Sequence, residues 1–144
     1  MTVPHLLRVS EPPERFASLI DACRAEDLRV GWLELDGTVE PVPETLGSAA
    51  GLGALRSVAV GAGRTVAVKP LRGAPVLRDL LREHFRGCAL VLVRGGELDA
   101  PGLRPEGAAW MLDVRGFEGL AGQAFSTAEL LSAFRSPKAL TPRV

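Results

Sequence analysis

The sequence predicts an α+β fold: a mixed, mainly antiparallel β-sheet packed with two or three helices. Three observations lead there. Strand-like segments outnumber helix-like ones and do not alternate with them regularly. Two stretches carry apolar residues at helical spacing and a third opens with a helix-capping signature. One run, "CALVLV" (88–93), is apolar at every position, as a central strand covered on both faces would be.

The elements follow in order. "HLLRV" (5–9) reads as a short strand. "SEPPERFASLIDACRAED" reads as a helix with Ser10 as its N-cap and Pro12 and Pro13 in the first turn, where a missing N–H costs nothing. Glu11 and Glu14 suit the positive end of the helix dipole. Phe16, Leu19, Ile20 and Cys23 then recur at i, i+3, i+4 and i+7, one apolar stripe. "LRVGWLELDGTVEPV" reads as a strand, a tight turn at Asp36-Gly37 and a second strand ending near Pro41. Residues 43–53, small and glycine-rich, read as a loop. "LRSVAVGAGRTVAVKPL" reads as a hairpin: Val58 and Val60 on one arm, Val66 and Val68 on the other, and Gly61-Ala62-Gly63 turning between them.

"GAPVLRDLLREHFRG" is the second predicted helix, with Pro75 near its start and Gly87 at its end. Leu77, Leu80, Leu81, His84 and Phe85 are expected on its buried side. After the apolar strand 88–93, residues 97–107 read as a Gly/Pro-rich loop and "AAWMLDV" (108–114) as a strand. The last helix, in "FSTAELLSAFRSP", carries a capping box, Ser126 with Glu129 three residues on, and an apolar side of Leu130, Leu131 and Phe134. Pro137 should stop it, and 138–144 should fray. The expected order is β-α-β-β-β-β-α-β-β-α.

A chain of 144 residues is the size of one ordinary domain, 1–144. Hydrophobic residues make up 47% and aromatics 5%, with no Tyr, so aliphatic side chains must fill the core. Seventeen Lys and Arg balance seventeen Asp and Glu, so the basic surplus of a nucleic-acid binder is missing in bulk and any such contact must come from a local patch. Cys23 and Cys88 form no CxxC and no zinc spacing, and read as small buried hydrophobes. No charged leader with a long apolar stretch opens the sequence, and no run reaches ~18 apolar residues. A cytoplasmic protein without membrane contact is expected.

Chemistry-bearing residues are few. His5, His84, Cys23 and Cys88 are too scattered to supply the three or four donors that zinc needs, so neither a metal nor another cofactor is expected. His84 sits at the end of an amphipathic run. It is a helix-end imidazole favoured by the dipole, a hydrogen-bonded core or interface histidine, or a catalytic or metal-binding group. Its neighbour Glu83 should not face it, because adjacent helical residues diverge. There is no G-x-S-x-G nucleophile motif. Glu34 and Asp36 share one side of a strand, which usually marks a solvent face. "GAGRTV" (61–66) and "GLGALR" (51–56) match neither G-x-G-x-x-G nor the P-loop. The first also lies between two strands, with no helix N-terminus to receive an anion. Arg78, Arg82 and Arg86 repeat every four residues, with Asp79 and Glu83 one position further round. Such a face is either solvated and salt-bridged or a phosphate-binding patch, which Arg56, Arg64 and Lys69 would extend if the fold brings them there.

The opening, "HLLRVSEPPERFASLIDACRAEDLRVGWLELDGTVEPV", resembles the start of the plant-and-prokaryote-conserved (PPC) domain: a short strand, a Pro/Glu turn into a helix, then a strand with a Gly-Trp pair, here Gly31-Trp32. "RSVAVGAG" (56–63) is similar to that family's Ser-Leu-x-Gly-Asn strand end. "LLREHFRGCALVLVRGG" is similar in layout to the segment where Gly-Gly-His-Leu leads into a long apolar strand. The likeness spans about residues 5–95, leaving a strand and helix at 108–136 as additions. Metal-binding members carry a His-x-His pair on the preceding strand and two glycines before the later histidine. Here that strand is "VAVKPL" (66–71), and Arg82 and Glu83 precede His84. The resemblance therefore implies a fold, a homotrimeric habit and a DNA-associated or regulatory role, and it carries over no metal site.

Together these readings lead to the expectation of a non-catalytic, self-associating regulatory or DNA-associated module, a homo-oligomer with a trimer favoured. Arg78, Arg82 and Arg86 would be its phosphate contacts. Two other classes remain open at this point: a small-molecule-binding or enzymatic domain with a pocket at a subunit junction near Arg56 and His84, and a pure protein-interaction module.

Overall fold

A strand that is apolar at every position needs neighbours on both sides and cover on both faces, and β5 (Leu90–Arg94) has both. A computed structural model of the chain describes residues 3–35, 43–71, 73–113 and 123–136. The architecture is α+β, as expected. In chain order it comprises β1 (His5–Val9), a 3-10 turn (Pro13–Phe16), α1 (Ala17–Ala25), β2 (Val30–Glu34), α2 (Glu44–Gly51), β3 (Ser57–Val60), β4 (Thr65–Val68), α3 (Leu77–His84), β5, β6 (Gly102–Glu106), β7 (Ala109–Asp113), β8 (Gln123–Phe125) and α4 (Thr127–Phe134). The chain forms two compact units, one of residues 1–37 and 81–144 and the other of residues 38–80, with the boundary inside α3.

The first unit is built on a six-stranded sheet of order β2-β5-β1-β6-β7-β8. β1 and β2 flank β5 in parallel, with His5 and Val30 both opposite Leu90. β6 meets β1 in parallel only at Arg8 and Gly102, then pairs antiparallel with β7, which pairs antiparallel with β8. The expected antiparallel pairing thus describes one half of a mixed sheet, and the other half is parallel. Local pattern carries no trace of that, because β1 and β5 are brought together across all the residues between Val9 and Leu90.

One face of the sheet holds the main core. Leu7, Val9, Leu90, Leu92, Leu103, Trp110 and Leu112 point toward Phe16, Leu19 and Cys23 from the first helical segment and toward Leu130, Leu131 and Phe134 of α4. Each such large side chain contributes about 1.5–3 kcal/mol by leaving water. Trp110 stacks on Phe16 with ring centroids 5.9 Å apart, and its Nε1–H donates to Thr127 Oγ1 at 2.9 Å. β7 and α4 are therefore integral to the core of this unit. On the opposite face Val91 and Val93 are fully buried too, and the Phe85 ring lies over Gly31.

Several boundaries differ from the sequence reading. Ser10 caps nothing. Pro13 pushes the residue before it out of the helical region, and Pro12 is extended (φ −70°, ψ 163°), so the 3-10 turn starts at Pro13 and α1 only at Ala17. The 43–53 loop contains α2, whose Leu46 is buried against the β3–β4 side of its unit. The 97–107 loop contains β6. Its Pro105 is tolerated because β1 reaches only Gly102, so no ladder on that side asks for the missing N–H. β8 was not expected. In α3, Leu81 is buried and Leu77, Leu80 and Phe85 are half-buried, but His84 faces solvent. The capping box at Ser126 and Glu129 forms as expected, with both reciprocal bonds made (3.1 and 3.2 Å). The Asp36-Gly37 turn, the strand to Pro41, the stop at Pro137 and the tail 138–144 lie outside the described residues.

Candidate interaction surface

The residues singled out by sequence do not converge on a reaction centre. Arg78 and Arg82 are exposed on α3, four residues apart on one face. Arg86, also exposed, lies past the helix end at His84 and just before Gly87, whose positive φ of 85° turns the chain toward β5, so the helical stripe has two members rather than three. His84 closes α3. Its Nε2 lies 3.8 Å from Glu83 Oε2, within ion-pair range despite their adjacency, and its ring meets the Phe85 ring edge-on at 6.3 Å. Arg56 precedes β3 in the other unit and is exposed.

The remaining candidates have structural tasks. Gly61 N–H donates to Arg64 O across the β3–β4 turn, where Gly63 takes φ 95°, and Gly53 with φ 101° ends α2. Both Gly-rich stretches are thus turns. Glu34 accepts from Trp32 Nε1–H at 2.8 Å and lies 3.7 Å from Arg94, while Asp36 is outside the described residues. Burial pushes the Cys23 thiol up to about 11 against an opposing pull from Arg135, and burial likewise raises Cys88 against Arg29. Neither is an activated nucleophile. Among the described residues no three His, Cys, Asp or Glu side chains gather to hold a metal, and no helix is long and apolar enough to cross a membrane.

The most distinctive chemistry of the surface lies in the second unit and is apolar. Among its described residues only Leu46 and Ser57 are buried. Of the large hydrophobics that the described residues expose, all but Val3 belong to it: Leu52 (89% exposed), Leu55 (76%), Val58 (53%), Val60 (78%), Val66, Leu71 and Val76. The β3–β4 register fixes which side chains share a face. Ser57, Ala59, Val66 and Val68 lie on one, and Val58, Val60, Thr65 and Ala67 on the other. α2 packs on both strands. Ser57 is buried and Val68 half-buried, so the first face is covered at that end, where Ala59 and Val66 beyond it are exposed, and all four residues of the second face are exposed.

None of the eight strand residues is charged; Arg56, Arg64 and Lys69 stand just outside the strands. Two strands of this kind have two open edges and an apolar face, which soluble proteins ordinarily protect with charge, proline or cover. Periodicity alone places the hairpin. It carries no sign that one of the two alternating faces goes uncovered. No family model matches the chain, and no curated protein is similar to it.

Proposed function

We propose that this chain is a non-catalytic, self-associating module and that the 38–80 unit supplies the contact between copies. The observation that carries this reading is the uncovered Val58–Val60 face together with the exposed leucines of the same unit. Val58, Val60, Leu52, Leu55 and Leu71 are each more than half exposed, and a standard interface buries about 800 Å² on each partner. A two-stranded hairpin is marginal alone, and added strands or a covering layer make it stable.

The occupant is a second copy of the chain. Where the contact lies on the symmetry axis of a closed homo-oligomer the same patch meets its own copies, so a charged patch would meet like charge. This face carries none, and the chain as a whole is balanced at 17 basic and 17 acidic residues. A homotrimer is the stoichiometry that the resemblance to PPC domains implies. A regulatory or DNA-associated role follows from the same resemblance, with Arg78, Arg82 and Arg86 displayed in several copies as phosphate contacts.

Two measurements test the reading. Val58→Lys with Val60→Lys should reduce the sedimenting species to the 15.2 kDa chain while leaving its circular dichroism unchanged. Retention on a DNA column should weaken with salt and fall uniformly across sequences on Arg82→Gln. Dissociation without any DNA retention would leave an assembly module and remove the DNA-associated part. Sedimentation unchanged by the double substitution would remove the assembly face.

A further inference from the structure

The three parallel strands β2, β5 and β1 begin at one end of the sheet, with Val30, Leu90 and His5 in line. Just before them, residues 27–29 and 87–89 meet the end of α4 around a cavity of about 360 Å³. That is within the size range of small-molecule sites, which are mostly apolar with a few convergent polar groups. The backbone of this end is tied together. His5 N–H donates to Ala89 O at 2.9 Å, and Ala89 N–H donates to Arg29 O at 2.8 Å. His5 is buried, its ring 5.8 Å from that of Phe134, and Leu28 adds apolar wall.

Two charged residues at the rim are notable. Asp27 takes φ 59°, a left-handed conformation, in the position that closes α1. Asp27 N–H donates to Arg24 O and Leu28 N–H to Cys23 O, the bonding pattern of a helix end that ordinarily uses glycine. A side chain kept where it is strained, on the edge of a cavity, points toward use. Arg29, two residues on, has no carboxylate within ion-pair distance among the described residues, whereas Arg135 is paired with Glu26. The guanidinium fork of Arg29 matches a carboxylate. The Asp27 carboxylate favours an ammonium and opposes a second negative charge on the same ligand.

We infer that this cavity binds a free amino acid with an apolar side chain: its carboxylate on Arg29, its ammonium at Asp27, and its side chain against Leu28, Phe134 and His5. The site lies wholly in the first unit and stands independently of the assembly reading.

The test is an amide chemical-shift titration of the full chain with L-phenylalanine, phenylacetate, phenethylamine and phenyl phosphate. Saturable shifts confined to residues 27–29 and 87–89 and the end of α4 are expected for L-phenylalanine. Phenylacetate and phenethylamine, each lacking one charge, should bind at least about tenfold more weakly, and phenyl phosphate more weakly still. Arg29→Gln should abolish the shifts and Asp27→Asn weaken binding about tenfold, while Arg104→Gln, on β6, changes nothing. The inference is overturned by absence of saturable shifts up to about 10 mM, a range that covers weak millimolar binding. It is equally overturned if Arg29→Gln binds like the parent or if phenylacetate or phenyl phosphate matches phenylalanine.

Discussion

Gly31 occupies the middle of β2, where glycine is ordinarily a poor choice, and the reason is the Phe85 ring. A methyl group at position 31 would lie 2.4 Å from Phe85 Cδ1 and 2.7 Å from Cε1. Carbon atoms in contact need about 3.5–4.0 Å, so the ring must shift by roughly an ångström or more. Two terms then compete. Replacing a strand glycine by alanine recovers about 0.5–1 kcal/mol of conformational entropy. Forcing a methyl into a filled contact costs about 1–3 kcal/mol. Because Phe85 is half-buried, its ring can yield toward solvent, which holds the cost within that range. Gly31→Ala should therefore destabilise the protein by about 1–2 kcal/mol. In a Phe85→Ala background both clashing ring carbons are gone, and the same substitution should be neutral or stabilising. The assay is urea unfolding of the four members of this cycle, reading the shift in midpoint at constant slope. An equal loss in both backgrounds, or no loss in the parent, would refute the reasoning.

Three other outcomes are expected. Ser126→Ala removes the acceptor for Glu129 N–H and should cost about 1 kcal/mol in the same unfolding assay, because α4 buries Leu130, Leu131 and Phe134 in the core. Asp27→Gly relieves a left-handed aspartate at the end of α1 and should raise stability by about 0.5–1 kcal/mol; a loss would mean that the carboxylate has a structural partner. Stability should fall as pH rises from about 9 toward 11. The Cys23 thiol has its folded pKa raised from 9.0 to about 11, so above pH 9 the unfolded chain loses a proton that the folded chain keeps. Cys23→Ala should flatten that alkaline decline, and an unaltered decline in this variant would assign it to other groups.

How much was legible in the sequence follows from which forces are local. The Ser126–Glu129 box, the Val58–Val68 hairpin and the Phe16–Leu19–Cys23 stripe are set within a few residues, and all three stand where the pattern puts them. α2 was hidden because "ETLGSAAG" has the composition of a loop, and its helical form accompanies the burial of Leu46 in its unit. β6 was hidden because Pro105 argues against a strand unless its neighbour has already ended, and that depends on where β1 stops. The Ser10 cap failed because the Pro12-Pro13 pair overrules it. For the site, the sequence rightly placed His84 at a helix end but expected it on the buried side, and it drew attention to the arginines of α3. The cavity at His5, Asp27 and Arg29 joins four segments, the start of β1, residues 27–29, residues 87–89 and the end of α4, so no spacing rule reveals it; the only sequence-level hint is a histidine, His5, in an apolar strand. The exposed face of the hairpin was equally invisible, since alternation states that there are two faces and not which one is covered.

The account's central claim is that the apolar surface of residues 38–80 is covered by other copies of this chain. Light scattering across a hundredfold dilution from tens of micromolar tests it most directly. A stable mass that is a multiple of 15.2 kDa, with three chains the expected number, is the predicted result. A mass of 15.2 kDa at every concentration would contradict it.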